Sequence, residues 1–220
     1  MHPDFYYRYT SPLGGITMTS DGNALTGLWF DGQKYAPSPV PTPFPVPTPA
    51  PALSPAPVPV PEEITAEKTG HLPVFLETKK WLDQYFSGTV PDFTPPLLIR
   101  TTPFRKEVLE ILLTIPYGKT MTYGEIAAIL TERRRASHSK EHSSRMSAQA
   151  VGGAVGHNPI SIIIPCHRVI GSDGSMTGYA GGIERKICLL QIESGDVSPD
   201  SLFNNPQRVS ADTCRGFLLV

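Results

Sequence analysis

The residues best able to do covalent chemistry stand together in "SIIIPCHRVIGSDG" (161–174), where Pro165 closes a β-branched run and Cys166, His167 and Arg168 follow at once. Thiolate is the nucleophilic form of cysteine, and a neighbouring base or cation raises its share. Three chemistries compete for Cys166. A zinc centre usually takes four ligands, with cysteines two to four residues apart. The chain holds no such pair, and His138 and His142 sit in a stretch of Ser, Lys and Glu, so no metal is expected. A packed core thiol is the second reading, since free cysteine often behaves as a small hydrophobe. It suits Cys188, in the amphipathic "ERKICLLQIE", better than Cys166 at an accessible strand end beside a base and a cation. The third reading, a nucleophile, is the one these neighbours favour.

The elements that must position Cys166 are legible around it. Residues 6–30 alternate like strands, with turns at Pro12-Leu13-Gly14-Gly15 and Asp21-Gly22-Asn23, which predicts a small antiparallel meander. Residues 36–61 hold half of the chain's 24 prolines and read as an extended, polyproline-like spacer. In 72–86 the spacing of Val74, Phe75, Trp81, Leu82, Tyr85 and Phe86 predicts a helix, stopped by Ser87-Gly88. Thr102-Pro103 opens another helix, ended at Pro116-Tyr117-Gly118. "TYGEIAAIL" reads as a short helix, "TERRRASHSKEHSSRM" as polar and irregular, and "SAQAVGGAVGHN" as a helix of small residues. Such a pair of helices suggests a helix-turn-helix. The Ala/Gly helix lacks the long polar side chains that read base edges in a major groove. Its small residues suit close approach, either to another helix or to the walls of a minor groove.

Bulk properties narrow the function classes. The 220 residues suffice for one large domain or two small ones, with a formal net charge of −1. That balance is uneven: residues 1–96 carry 5 Lys+Arg against 9 Asp+Glu, and residues 97–193 carry 12 against 8. A mildly basic second half permits nucleic-acid binding. No apolar stretch approaches the roughly 18 residues of a membrane span, and residues 1–15 lack a secretory signal's pattern. Three widely spaced cysteines, Cys166, Cys188 and Cys214, argue for a reducing, cytoplasmic setting rather than a disulfide framework.

Taken whole, "NPISIIIPCHRVIG" followed by "GYAGG" resembles the active-site signature of the O6-alkylguanine-DNA alkyltransferases, the methylated-DNA–protein-cysteine methyltransferases. The resemblance is strong over 101–193 and looser in "TSPLGGITMTSDGNALTGLWF" and "LPVFLETKKWLDQYFSGTVPDF"; the spacer and tail lie outside it. It implies an α/β N-terminal domain over 1–95 (a small antiparallel sheet with a helix, ribonuclease H-like). A mainly helical C-terminal domain over 96–194 would carry a winged-helix-like helix-turn-helix, and 195–220 would form a flexible tail. It further implies single-turnover transfer of an alkyl group from guanine O6 in DNA to Cys166, without a cofactor. The partner would be double-stranded DNA bearing O6-alkylguanine, with O4-alkylthymine as a secondary lesion. The protein would be a cytoplasmic monomer with access to chromosomal DNA and no membrane association.

The resemblance assigns roles residue by residue. Cys166 would be the acceptor, His167 its water-relayed base, Glu193 the group orienting His167, Tyr123 the proton donor to guanine and Asn158 the hinge. Gln149, Ala148, Ala150, Gly152, Gly153, Tyr123, Arg168 and Ser172 would meet DNA, and Val169, Tyr179, Ala180 and Gly181 would line the pocket for the flipped base. Two positions depart from the common pattern. Gln149 stands where many members carry an arginine that fills the vacated stack, and Ala180 where some carry a serine. The zinc ligands of some members' N-terminal domains are not matched. Other readings are a lesion sensor that binds without repairing, a DNA-binding regulator and a cysteine hydrolase. A sensor would have lost the cysteine, and no oxyanion loop supports a hydrolase.

Overall fold

The computed structural model describes residues 5–37, 70–136 and 146–196. Three strands come first: β1 (Phe5–Ser11), β2 (Gly14–Ser20) and β3 (Leu25–Phe30), antiparallel in the order β1-β2-β3. Their turns are built by short polar side chains. Ser11 Oγ accepts from Leu13 N at 3.2 Å, and Asp21 Oδ1 accepts from Asn23 N and Ala24 N at 3.0 and 2.9 Å. This register sets Tyr9 opposite Ile16 and Met18 opposite Leu28. Helix α1 (Pro73–Phe86) lays Val74, Phe75, Trp81, Leu82, Tyr85 and Phe86 inward, as its spacing predicts, and packs on all three strands. The proline-rich spacer, from residue 38 onward, lies outside the described residues, as do His138, His142, Cys214 and the tail beyond 196.

The second half is mainly helical. Thr102 caps α2 (Pro103–Leu112), its side chain accepting from Arg105 N, with proline just inside the cap. Strand β4 (Met121–Thr122) pairs in parallel with β5 (Val169–Ile170). Helix α3 (Tyr123–Ala136) runs further than the sequence suggested. The segment 131–136, expected to be irregular, extends it, and Arg133, Arg134 and Arg135 sit where cations complement a helix's C-terminal dipole. Helix α4 (Ala148–Gly156) starts at Ser147, whose hydroxyl accepts from Ala150 N at 3.1 Å. Helix α5 (Ile183–Ser194) ends at Gly195 in the left-handed conformation, φ 79°.

The halves share one apolar core. They join along the outer edge of β3: Leu25 exchanges backbone hydrogen bonds with Pro96 and Leu98, and Leu28 with Pro159 and Ser161, all between 2.7 and 2.9 Å. The second half therefore covers an edge that would otherwise expose unpaired backbone groups.

The β-branched run of 160–164 was expected to form a strand. The run before Pro165 is not a strand; only Ile160 makes a bridge, to Leu28, and 161–164 fold into tight turns with Ile162 at φ 68°. Ile160, Ile162, Ile163 and Ile164 are all buried. A short apolar run enclosed on every side satisfies its side chains in any backbone shape, so β-branched content alone did not determine one.

Candidate active site

Cys166 opens a single 3₁₀ turn, Cys166–Arg168, directly after that knot, and is only 5% exposed. Asn158 ties the knot together. Its Nδ2 donates to Ile164 O (2.8 Å), Ile160 O (3.2 Å) and Cys166 Sγ (3.0 Å), while its Oδ1 accepts from Ile160 N (3.0 Å). A side-chain amide thus takes over backbone pairing that a strand ladder would have supplied, and one of its contacts reaches the thiol. Burial pushes the Cys166 pKa up; the Asn158 hydrogen bond and the nearby Lys186 charge pull against it. The resting group is therefore a thiol, and transfer of its proton needs a base.

A buried imidazole–carboxylate pair follows it in the chain. His167 is fully buried, and its Nε2 lies 2.7 Å from Glu193 Oε1. Burial lowers the His167 pKa despite the carboxylate, so the ring is neutral. Burial also disfavours charge on Glu193, yet the hydrogen bonds and charges of His167 and Arg168 outweigh it and hold the carboxyl far below its usual range. An ionised carboxylate only accepts, so Nε2 carries the ring proton and Nδ1 the lone pair. Nδ1 is buried without a protein partner among the described residues. It is the free basic atom of the site.

Glu193 is held on all sides. Arg168 donates through Nε to Oε2 (2.9 Å) and through a terminal nitrogen to Oε1 (3.0 Å), Tyr85 OH donates to Oε1 (2.8 Å), and Gly118 N donates to Oε2 (3.0 Å). Gly118 sits at φ 69°, and a Cβ there would stand 3.0 Å from Glu193 O, so the close approach requires glycine. Tyr123 OH donates to Thr177 O at 3.1 Å, and its pKa is raised by burial and then by the charge of Cys166, which keeps it a proton donor. Gly178, at φ 83°, leaves the space a Cβ would take, 2.7 Å from that hydroxyl.

Comparison with known proteins places the chain in a family. Residues 103–195 match the model of the 6-O-methylguanine DNA methyltransferase DNA binding domain, and residues 5–99 that of the 6-O-methylguanine DNA methyltransferase ribonuclease-like domain. The chain belongs to the 6-O-methylguanine DNA methyltransferase family. It is 36% identical over 190 residues to the methylated-DNA–protein-cysteine methyltransferase of Haemophilus influenzae, covering 86% of each chain. The Mycobacterium tuberculosis H37Rv protein of the same name is 37% identical over 195 residues, 89% of this chain and 95% of that one. The crystal structure of M. tuberculosis OGT in complex with DNA superposes with a TM-score of 0.65, covering 90% of this chain and 98% of that chain.

In this methyltransferase the other expected site residues fall into two groups. Ala148, Gln149, Ala150 and Gly153 are exposed along α4 and Gly152 is half-buried, whereas Val151, Ala154 and Val155 face the core. Ser172 is exposed on a turn closed by the Gly171 N to Ser175 O bond of 2.9 Å. Val169 and Tyr179 are buried, and Ala180 and Gly181 follow in a loop whose carbonyls accept from Lys34 N and Arg185. Arg168, expected at DNA, is placed inside instead. Its guanidinium is spent on Glu193 and on Ile115 O (2.6 Å), because an ionised buried carboxylate needs a cation beside it.

Three further residues join the site. Tyr85 reaches Glu193 from α1, although the sequence showed it only as part of an apolar helix face. Lys186 is fully buried, donates to Val169 O (2.5 Å) and Thr177 O (3.1 Å), and has its pKa lowered to about 8 by burial. Ser161 donates to Gln33 Oε1 at 3.0 Å, linking the active-site knot to the loop after β3. The signal for Lys186 was a charge on the buried side of an amphipathic helix; Gln33 and Ser161 carried none.

Proposed function

We infer that this chain is a single-turnover DNA repair methyltransferase that moves the alkyl group of O6-alkylguanine in DNA onto its own Cys166. The observation that carries this reading is the buried relay. A thiol held by Asn158 is followed by a neutral imidazole whose Nε2 donates to Glu193 and whose Nδ1 has no protein partner among the described residues and is open to a proton. His167 Nδ1 accepts the thiol proton through a water. The sulfur then attacks the alkyl carbon, the S–C bond forming as the C–O6 bond breaks, and the electron pair departs on guanine. Tyr123 gives guanine a proton, and exchange with solvent returns Tyr123 and His167 to neutrality. General acid and base assistance of this kind is worth about 10²–10⁴-fold.

Helices α3 and α4 form the helix-turn-helix in this reading, with α4 laid in the minor groove. The exposed Ala148, Ala150 and Gly153 and the half-buried Gly152 allow close approach, and Gln149 fills the gap left by the extruded base. Val169, Tyr179, Ala180 and Gly181 form the pocket that receives guanine. The sheet and α1 form the ribonuclease H-like part over 1–95, and the protein works as a monomer. The test is the intact mass of the protein after incubation with duplex DNA containing O6-methylguanine. One methyl is gained, and none in Cys166→Ala. Lesion-selective binding at unchanged mass would make the protein a sensor instead.

A further inference from the structure

A small cavity of about 240 Å³ opens between α4 and the base-pocket loop. Gly152, Gly153, Gly156 and His157 of the α4 segment form one side, and Gly178, Tyr179 and Ala180 the other. Its third wall belongs to the N-terminal half: Lys34 and Tyr35, in the loop that leaves β3. That loop is firmly placed. Gln33 is buried and accepts from Phe30 N (3.2 Å) and Ser161 Oγ (3.0 Å), while Lys34 N donates to Ala180 O at 3.0 Å.

Tyr35 is unusual within it. The residue is 53% exposed, adopts φ 65° without being glycine, and stacks on His157 with ring centroids 4.0 Å apart. His157 is itself pinned, its Nδ1 donating to Gly153 O at 2.7 Å. A non-glycine side chain in the left-handed region persists where surrounding contacts overdetermine it, and such positions cluster at functional sites. The consequence is to hold the Lys34 ammonium, 5.0 Å from the Tyr35 ring centroid, at the rim of the cavity. Among the described residues no carboxylate pairs with Lys34, whereas α4 itself ("AQAVGGAVG") contains no lysine or arginine.

We propose that Lys34, braced by the Tyr35–His157 stack, is a DNA-phosphate contact of the N-terminal half, gripping the sugar-phosphate backbone beside the extruded nucleotide. The glycine-lined walls let that backbone come close, and Lys34 supplies there the positive charge that the recognition helix lacks at Gln149. This rests on the reading of the site as an alkylated-DNA site.

The test measures binding of full-length Cys166→Ser protein to an O6-methylguanine duplex across a salt series, alone and with Lys34→Met, Lys34→Arg or Tyr35→Ala. Methionine keeps the length of the side chain and removes its charge. Lys34→Met is expected to weaken binding several-fold and to lower the slope of log affinity against log salt by about one. Lys34→Arg should keep the slope, and Tyr35→Ala should lower affinity with the lysine still present. If Cys166→Ser binds DNA and Lys34→Met leaves both affinity and slope unchanged, the inference falls while the functional reading stands. If Cys166→Ser shows no DNA binding at all, both fall.

Discussion

At the scale of single residues, one carboxylate organises the chemistry. Glu193 accepts from His167, Arg168, Tyr85 and the Gly118 amide, so its charge is satisfied without water and it fixes which His167 nitrogen bears the proton. Glu193→Gln removes that instruction, because an amide can donate as well as accept and then permits the opposite ring tautomer. Alkyl transfer should slow by about 10²-fold or more, within the span of acid–base assistance, while affinity for lesion DNA stays near wild type; an equal loss in both would make Glu193 purely structural. The same change strands the buried Arg168 and should cost about 3–5 kcal/mol, read by denaturant unfolding.

The pH dependence of stability follows from the same pair. His167 has a lowered pKa in the fold, so below its ordinary 6.5 the unfolded chain takes up a proton that the folded chain refuses, and stability falls as pH falls. Glu193, also lowered, adds stability above its ordinary 4.5 that is lost on further acidification toward about 2. Melting temperature should therefore decline in two stages on acidification, and His167→Asn should remove the first. That Glu193 stands beside His167 was legible through the family signature. Arg168 was misplaced because a cation beside a reactive thiol reads equally well as a DNA contact or as an internal counter-ion.

At the scale of elements, the segment before Cys166 behaves as a knot tied by one side chain. Asn158→Ala leaves the Ile160 and Ile164 carbonyls without the amide donor and removes the Sγ hydrogen bond. Each buried group left unsatisfied costs about 1–3 kcal/mol. A kinetic signature accompanies that loss: the pH–rate profile for alkylation should move to higher pH as the thiolate loses its donor. The loop bearing Tyr179 is the second sensitive element. Gly178→Ala meets both a left-handed backbone and the Tyr123 hydroxyl, so it should slow transfer and lower stability by about 1 kcal/mol or more. The meander, α1, α2 and α4 were all readable from spacing, caps and turn residues. The knot was not, because an apolar run enclosed on every side carries no periodicity, and α3 was read short because its polar last turns face solvent.

At the scale of the molecule, the N-terminal half supports the segment that carries Cys166 and His167. It covers Cys166's segment along the β3 edge and sends Tyr85 into the carboxylate behind His167, a contact between residues 108 apart in sequence. No local pattern reveals such a contact, which is why Tyr85 looked like ordinary core. Tyr85→Phe keeps the packing and deletes one charge-assisted hydrogen bond, with an expected cost of about 1.5–3 kcal/mol. Transfer should slow with DNA affinity unchanged; normal kinetics would show that the hydroxyl serves stability alone.

The central claim is that Cys166 is consumed in a direct transfer. It is tested most directly by titrating the protein with an excess of duplex DNA carrying a labelled O6-methyl group and locating the label by peptide mapping. Transfer should saturate at one methyl per protein, all of it on the peptide containing Cys166, with unmodified guanine left in the DNA. Demethylation continuing beyond one equivalent, or label on Cys188 or Cys214, would contradict it.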